Sequence, residues 1–297
     1  MSSDAPVPEA DHPTDAGAGV QPAAASTRAV VGGRNLPVAI AVGLLLAGAF
    51  LGSLAWHPLA FTTVVAVLAV VAVIEIGRVL DGIGRRVDVP VLVGAALAML
   101  YGAYFGGSAG LLAGVVALLL VAVLRVLGDP RREQVADRLG LTVLFGLWVG
   151  LLAAFAPLLV DRPSGPVVVL AVVGGAILAD IGGYAFGVTL GRHKLAPVLS
   201  PNKTWEGLAG AIVLPVVLAA LVLPRIDGVF TPMNAALLAG LASLAAMAGD
   251  LAESMLKRDL EVKDLGDVLP GHGGILDRVD GILFALPVGT MAAELLL

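Results

Sequence analysis

From Leu36 onward, long apolar runs alternate with short polar breaks. A helix needs about 20 apolar residues to cross a bilayer's hydrocarbon core. Nine runs approach that length, near 36–56, 58–79, 89–105, 108–127, 139–159, 166–190, 206–224, 233–256 and 278–297. The pattern predicts an all-α, polytopic integral membrane helix bundle of about nine transmembrane helices. His57-Pro58 separates the first two runs and Gly106-Gly107 the third and fourth, joins too tight for an extramembrane domain. No 20-to-50-residue repeat stands out, and no inverted pair of broken helices of the transporter kind. Residues 1–35 differ in kind. Pro6, Pro8, Pro13 and Pro22 interrupt Ala- and Gly-rich stretches that cannot build a packed face, so a disordered cytoplasmic tail is expected there. Asp4, Glu9, Asp11 and Asp15 stand where a secretory signal would carry positive charge.

Charge orients the bundle. Arg28 and Arg34 precede the first run, and Arg78, Arg85 and Arg86 follow the second. Arg125, Arg131, Arg132 and Arg138 lie between runs four and five, and Arg192, Lys194 and Lys203 between six and seven. Lys257, Arg258, Lys263 and Arg278 lie between eight and nine, leaving Arg162 and Arg225 for the other side. Sixteen of the 18 basic residues thus share one face, which the positive-inside rule makes cytoplasmic together with the amino terminus. The two longest polar loops, 191–205 and 257–277, fall on that face.

Composition agrees. Apolar residues and glycine together approach about 70% of the chain, against about 45–50% in soluble domains, which excludes a water-soluble globular enzyme. A net charge of −5 without a basic stripe offers nothing to nucleic acid. The absence of cysteine removes disulfides, thiolate nucleophiles and zinc–thiolate sites together. Carboxylates, lysine, arginine, histidine, hydroxyls and backbone amides remain.

Ionisable groups inside or at the mouth of a membrane bundle are costly and mark candidate sites. They gather in the last third. Asp250, Glu253, Ser254 and Lys257 are spaced i, i+3, i+4, i+7 and form one polar stripe on a helix. Arg258, Lys263 and Asp264 follow, then Pro270-Gly271-His272-Gly273-Gly274, then Asp277, Arg278 and Asp280. The pattern reads as a metal–phosphate site. Magnesium takes one or two carboxylates plus substrate phosphates, which Asp250 and Asp277 can supply from neighbouring helices. Lys257, Arg258, Lys263 and Arg278 can neutralise phosphate oxygens, and the glycine-rich turn can offer free amides. Ser200-Pro201 reads as a helix N-cap with proline at the first helical position, and Lys203 nearby favours an anion. Glu75 and Arg78 read as an i, i+3 ion pair, Asp180 as either a buried partner for a basic group or a further polar ligand. Trp205 and Tyr184 read as interface anchors, Gly187 and Gly191 as helix packing.

Two stretches carry a resemblance. Ser254-Met255-Leu256-Lys257-Arg258, Lys263-Asp264-Leu265-Gly266 and Leu269-Pro270-Gly271-His272-Gly273-Gly274-Ile275-Leu276-Asp277-Arg278-Val279-Asp280 resemble the signature of the phosphatidate cytidylyltransferases, also called CDP-diacylglycerol synthases. Asp180-Ile181-Gly182-Gly183-Tyr184, His193-Lys194-Leu195-Ala196-Pro197 and Ser200-Pro201-Asn202-Lys203-Thr204-Trp205-Glu206-Gly207 are similar to that family's other polar region. The resemblance covers 139–297 and implies a catalytic transmembrane region there, after amino-terminal helices over 36–138. It implies reaction of CTP with phosphatidic acid to give CDP-diacylglycerol and pyrophosphate for phospholipid biosynthesis, in the plasma membrane. Catalytic roles are then expected for Asp250, Lys257, Asp277 and Arg278. Substrate binding is expected for Ser200, Lys203, Lys257, Arg258, Lys263, Asp264, His272, Gly273, Gly274 and Asp280. Asp250 and Asp277 are the expected ligands of Mg2+, with or without a second cation, and a homodimer is one open arrangement. The rival readings are a CTP-dependent lipid-alcohol kinase and an ion-coupled transporter.

Overall fold

The computed structural model describes residues 36–130, 133–196, 200–268 and 273–297. The expected tail over 1–35, and Arg131, Arg132, Pro270, Gly271 and His272, lie outside the described residues. In chain order the elements are α1 (Leu36–Trp56), α2 (Pro58–Gly82), α3 (Val89–Leu127), α4 (Val135–Phe145), a π-helix (Gly146–Leu151), α5 (Phe155–Val160), α6 (Gly165–Leu190), β1 (Lys194–Ala196), β2 (Ser200–Thr204), α7 (Trp205–Ile226), α8 (Pro232–Asp259) and α9 (Leu276–Leu296). The chain is a multi-pass membrane bundle. Among the described residues seven helices are long and apolar enough to cross a membrane, and the Ile40–Trp56 part of α1 is apolar as well.

Local chemistry sets the boundaries. His57 caps α2 by accepting from the Leu59 amide at 3.0 Å, with Pro58 at the first turn. Thr231 and Asn234 form a reciprocal capping box ahead of α8, again with a proline behind the cap. The runs 89–105 and 108–127 are the two helical arms of α3, parted at Gly107, whose φ of 58° and ψ of −144° suit a residue without Cβ. The turn is so tight that a Cβ on Gly102 would lie 2.5 Å from the Gly110 carbonyl oxygen. Eight residues of unbroken helix would hold those positions about 12 Å apart, so α3 is a helical hairpin.

The loop 191–205 is also more ordered in kind than its sequence suggested. β1 and β2 pair antiparallel, Lys194 opposite Thr204 and Ala196 opposite Ser200. This overturns Ser200 as the cap of the seventh span. The cap is Thr204, whose extended backbone lets its hydroxyl accept from the Gly207 amide at 3.1 Å. Pro201, lacking an N–H, is tolerated in an edge strand.

Polar contacts collect at one end of the bundle. There Asp88 receives Arg125 and Arg138, and Glu75 of α2 reaches the loop before α9. At the other end Arg162 pairs with Glu294. α6 and α7 meet along glycines: Gly182 lies against the Gly210 carbonyl, and Gly207 against Gly183 and Gly187. α8 and α9 approach in the same way, Gly249 against Asp280 and Gly281 against Ala246. Such seams bring side chains on neighbouring helices within reach of each other.

Candidate active site

α8 delivers the polar stripe to this crowded end. Lys257 Nζ donates to Asp277 Oδ1 at 3.0 Å and lies 3.2 Å from Glu253 Oε1, one turn back on α8. Glu253 and Asp277 are almost fully buried, with side-chain exposures of 2% and 5%. The Lys257 ammonium thus answers two buried carboxylates. Glu253 Oε1 has no hydrogen bond of good geometry despite that short ion-pair distance, so the contact is Coulombic. Glu253 also lies beside Asp280.

Asp277 does more than hold Lys257. Its oxygens accept the amides of Leu265 at 3.1 and 3.2 Å and of Gly274 at 3.2 Å. Gly274 has no room for a side chain, since a Cβ would stand 2.7 Å from both Asp277 Oδ2 and the Gly266 Cα. From the opposite side Glu75 accepts the amides of Val268 at 2.7 Å and Ile275 at 2.8 Å, with Gly266 packed against its carboxylate. Leu265 and Ile275 bury beside α2 and α3 side chains in one apolar cluster. The polar loop between α8 and α9 is therefore pinned at its described ends by two carboxylates and two apolar anchors. Gly273, at φ 85°, turns the chain into α9.

A second arrangement lies between α6, α7 and α8. Lys203, at the end of β2, pairs with Asp250. The two line a cavity of about 280 Å³ with Asp180, Tyr184 and Thr204. Asp180 lies within electrostatic reach of Asp250, Asp280, Lys203 and Arg278. Behind the cavity Glu206 fixes the hairpin, accepting the amides of Arg192 at 3.1 Å and His193 at 3.2 Å while meeting the His193 ring at 2.6 Å.

A sequence model of the cytidylyltransferase family matches residues 37–296. The chain belongs to that family. It is 37% identical over 280 residues to a phosphatidate cytidylyltransferase of Mycobacterium bovis, covering 90% of each chain. A phosphatidate cytidylyltransferase of Mycobacterium tuberculosis shows the same identity over 90% of this chain and 84% of its own. One from Staphylococcus saprophyticus is 45% identical over 116 residues, 37% of this chain and 43% of its own.

In this family member the expected residues fall into two neighbouring groups. Lys257, Asp277, Gly273, Gly274 and Asp280 gather at the junction of α8 and α9, while Lys203 and Asp250 share the α6–α8 cavity. Arg258, Lys263, Asp264 and Arg278 are exposed. His272 lies outside the described residues, and of Ser200 only the strand backbone is described. Among the described residues no three metal-ligating side chains converge. Glu75 is a correction. It does not pair with Arg78, which is exposed, but is buried and bonds the loop amides. The signal was present, because a carboxylate four residues inside the end of the apolar run 58–79 must find buried donors. Tyr184 lines the Lys203–Asp250 cavity rather than serving only as an anchor.

Proposed function

We propose that this chain transfers the CMP moiety of CTP to phosphatidic acid, giving CDP-diacylglycerol and releasing pyrophosphate. A phosphate oxygen of the lipid attacks the α-phosphorus of CTP, and the bond from that phosphorus to the β-phosphate oxygen breaks. The lipid phosphate is already anionic, so the reaction needs alignment and charge neutralisation more than a general base. The observation that carries the reading is the pairing of Lys257 with Asp277 and of Lys203 with Asp250 at one end of the bundle. There a water-borne polyanion and a lipid headgroup can meet.

The same pairs bear on the metal. Each expected ligand, Asp250 and Asp277, holds an ammonium cation, so each presents a carboxylate oxygen suited to a cation. Asp250, part-exposed in its cavity, suits a hard divalent ion as it stands. Asp277, with both oxygens engaged by amides, suits one only once Lys257 is displaced. Bound magnesium would screen the phosphate charges. Lys203 and Lys257 then become available to phosphate oxygens, and Arg278 stands exposed beside them.

We infer from the positive-inside rule that the basic face looks to the cytoplasmic side of the plasma membrane, where CTP is found. The deciding experiment supplies purified protein in detergent with phosphatidic acid, magnesium and CTP labelled at the α-phosphate. Label in the lipid product together with pyrophosphate release supports the reading. Label left in CDP indicates kinase chemistry instead, and absence of turnover removes both. Transport is disfavoured because Asp277 lies in the first turn of α9, not near mid-membrane.

A further inference from the structure

A second, larger cavity of about 440 Å³ runs down the interior side of α9. Phe50 of α1, Phe61 and Ala72 of α2, Ile177 of α6 and Leu286 of α9 help to wall it. Among the described residues lining it, Arg278 is the one ionisable side chain. From Arg278 to Leu286 is eight helical residues, about 12 Å along the axis. The hydrocarbon core is about 30 Å thick, so the groove descends from the polar end through roughly one leaflet. Its apolar walls leave nothing to orient a polar solute, whereas Arg278 at the mouth complements an anion.

Arg278 also lies within electrostatic reach of Asp180, which lines the Lys203–Asp250 cavity. One guanidinium therefore stands between an apolar groove of leaflet depth and a polar, lysine-bearing cavity. The outer wall of the groove is α1, which packs chiefly on α2 and exposes Leu44, Leu45 and Trp56. It is the least embedded wall, and its apolar outer face suits contact with the bilayer.

We propose that this groove holds one acyl chain of the lipid substrate, with Arg278 at its polar end taking the lipid phosphate. The proposal rests on the function given above and extends it. It separates the two substrates: the lipid lies along α9 between α1 and α6, and the nucleotide phosphates approach from the Lys203 side. It also makes the groove the determinant of chain length. Ile177, a wall residue, is half-exposed, and a Cβ on Gly174, another wall residue, would meet nothing within 4 Å. Both positions accept added bulk without disturbing the core.

The test uses the full-length protein with Ile177→Trp and, separately, Gly174→Leu, assayed on dioleoyl and dioctanoyl phosphatidic acid. Loss of about two buried methylenes corresponds to about a tenfold change. At least one variant is therefore expected to lose about tenfold in kcat/KM on the dioleoyl substrate, while holding its dioctanoyl activity and its KM for CTP. Equal losses on both lipids, or none in either variant, overturn the groove. A turnover-free readout accompanies this: phosphatidic acid with a photoreactive diazirine on one acyl chain, its adducts mapped by mass spectrometry. Adducts at 46–51 and 170–177, reduced in the variants, support the groove; adducts confined to other helices overturn it. If the wild type forms no CDP-diacylglycerol from either lipid, the proposed reaction fails, and the labelling still decides the groove.

Discussion

At the residue scale the arrangement turns on Lys257. Removing one partner of a buried ion pair costs about 3–5 kcal/mol, because the remaining charge stays buried and unanswered. Lys257 answers both Glu253 and Asp277, so Lys257→Met is expected to lower the thermal midpoint in detergent by several degrees and to abolish turnover. Adding Glu253→Gln removes one orphaned charge. The double variant should regain much of the midpoint and none of the activity, and recovery of both would separate Lys257 from the chemistry. Asp277→Asn keeps the side-chain volume but places an amide donor among amide donors. We expect a loss of about 100-fold or more in CDP-diacylglycerol formation with helical content unchanged by circular dichroism; near-normal activity would remove Asp277 from the site. These residues were legible because carboxylates at i and i+3 with a lysine at i+7 stand out in an apolar chain. Glu75 was misread for the opposite reason. A near neighbour, Arg78, offered a local partner, whereas the actual donors, Val268 and Ile275, lie about two hundred positions away.

At the element scale, glycine seams set how closely the helices carrying these groups approach. A Cβ at Gly182 would collide with the Gly210 backbone, while one at Gly94 would meet nothing within 4 Å. Gly182→Val should therefore separate α6 from α7, lower the thermal midpoint and move Asp180 away from Lys203. Gly94→Ala should be neutral, or stabilising by up to about 1 kcal/mol through helix propensity. Parallel thermal-shift and activity measurements on the two variants check this, and equal tolerance would mean the seam is not needed. Helix positions were readable because a membrane span is a long, uniform signal. The β1–β2 hairpin and the displaced cap at Thr204 were not. Short strands without alternation look like loop, and Ser-Pro and Thr-Trp are both acceptable helix starts until hydrogen bonds choose between them. The hinge at Gly107 was legible as a break, but that its two arms touch at Gly102 and Gly110 depends on packing.

At the scale of the whole molecule, the decisive property is polarity from end to end. The contacts of Asp88 with Arg125 and Arg138, of Glu75 with the loop amides, of Lys203 with Asp250 and of Lys257 with Asp277 share one end. Arg162 with Glu294 marks the other. An enzyme joining a water-soluble nucleotide to a lipid needs its charged end on the side that holds the nucleotide, and the proposed orientation, from the positive-inside rule, makes that side the cytoplasm. The chain contains no cysteine, so single introduced thiols report sidedness without background. Glu133→Cys lies at the charged end, in the connection between α3 and α4 where Glu133 meets Arg86. Gly228→Cys lies in the opposite connection, between α7 and α8, where a side chain meets nothing within 4 Å. In sealed right-side-out vesicles a membrane-impermeant maleimide should label the thiol at 228 and leave that at 133 unmodified until the membrane is opened. Inverted vesicles should show the reverse. Labelling of the thiol at 133 from outside would turn the bundle over. The Lys203–Asp250 cavity would then face away from cytoplasmic CTP, and the proposed reaction could not run in the cell even if the purified protein performed it.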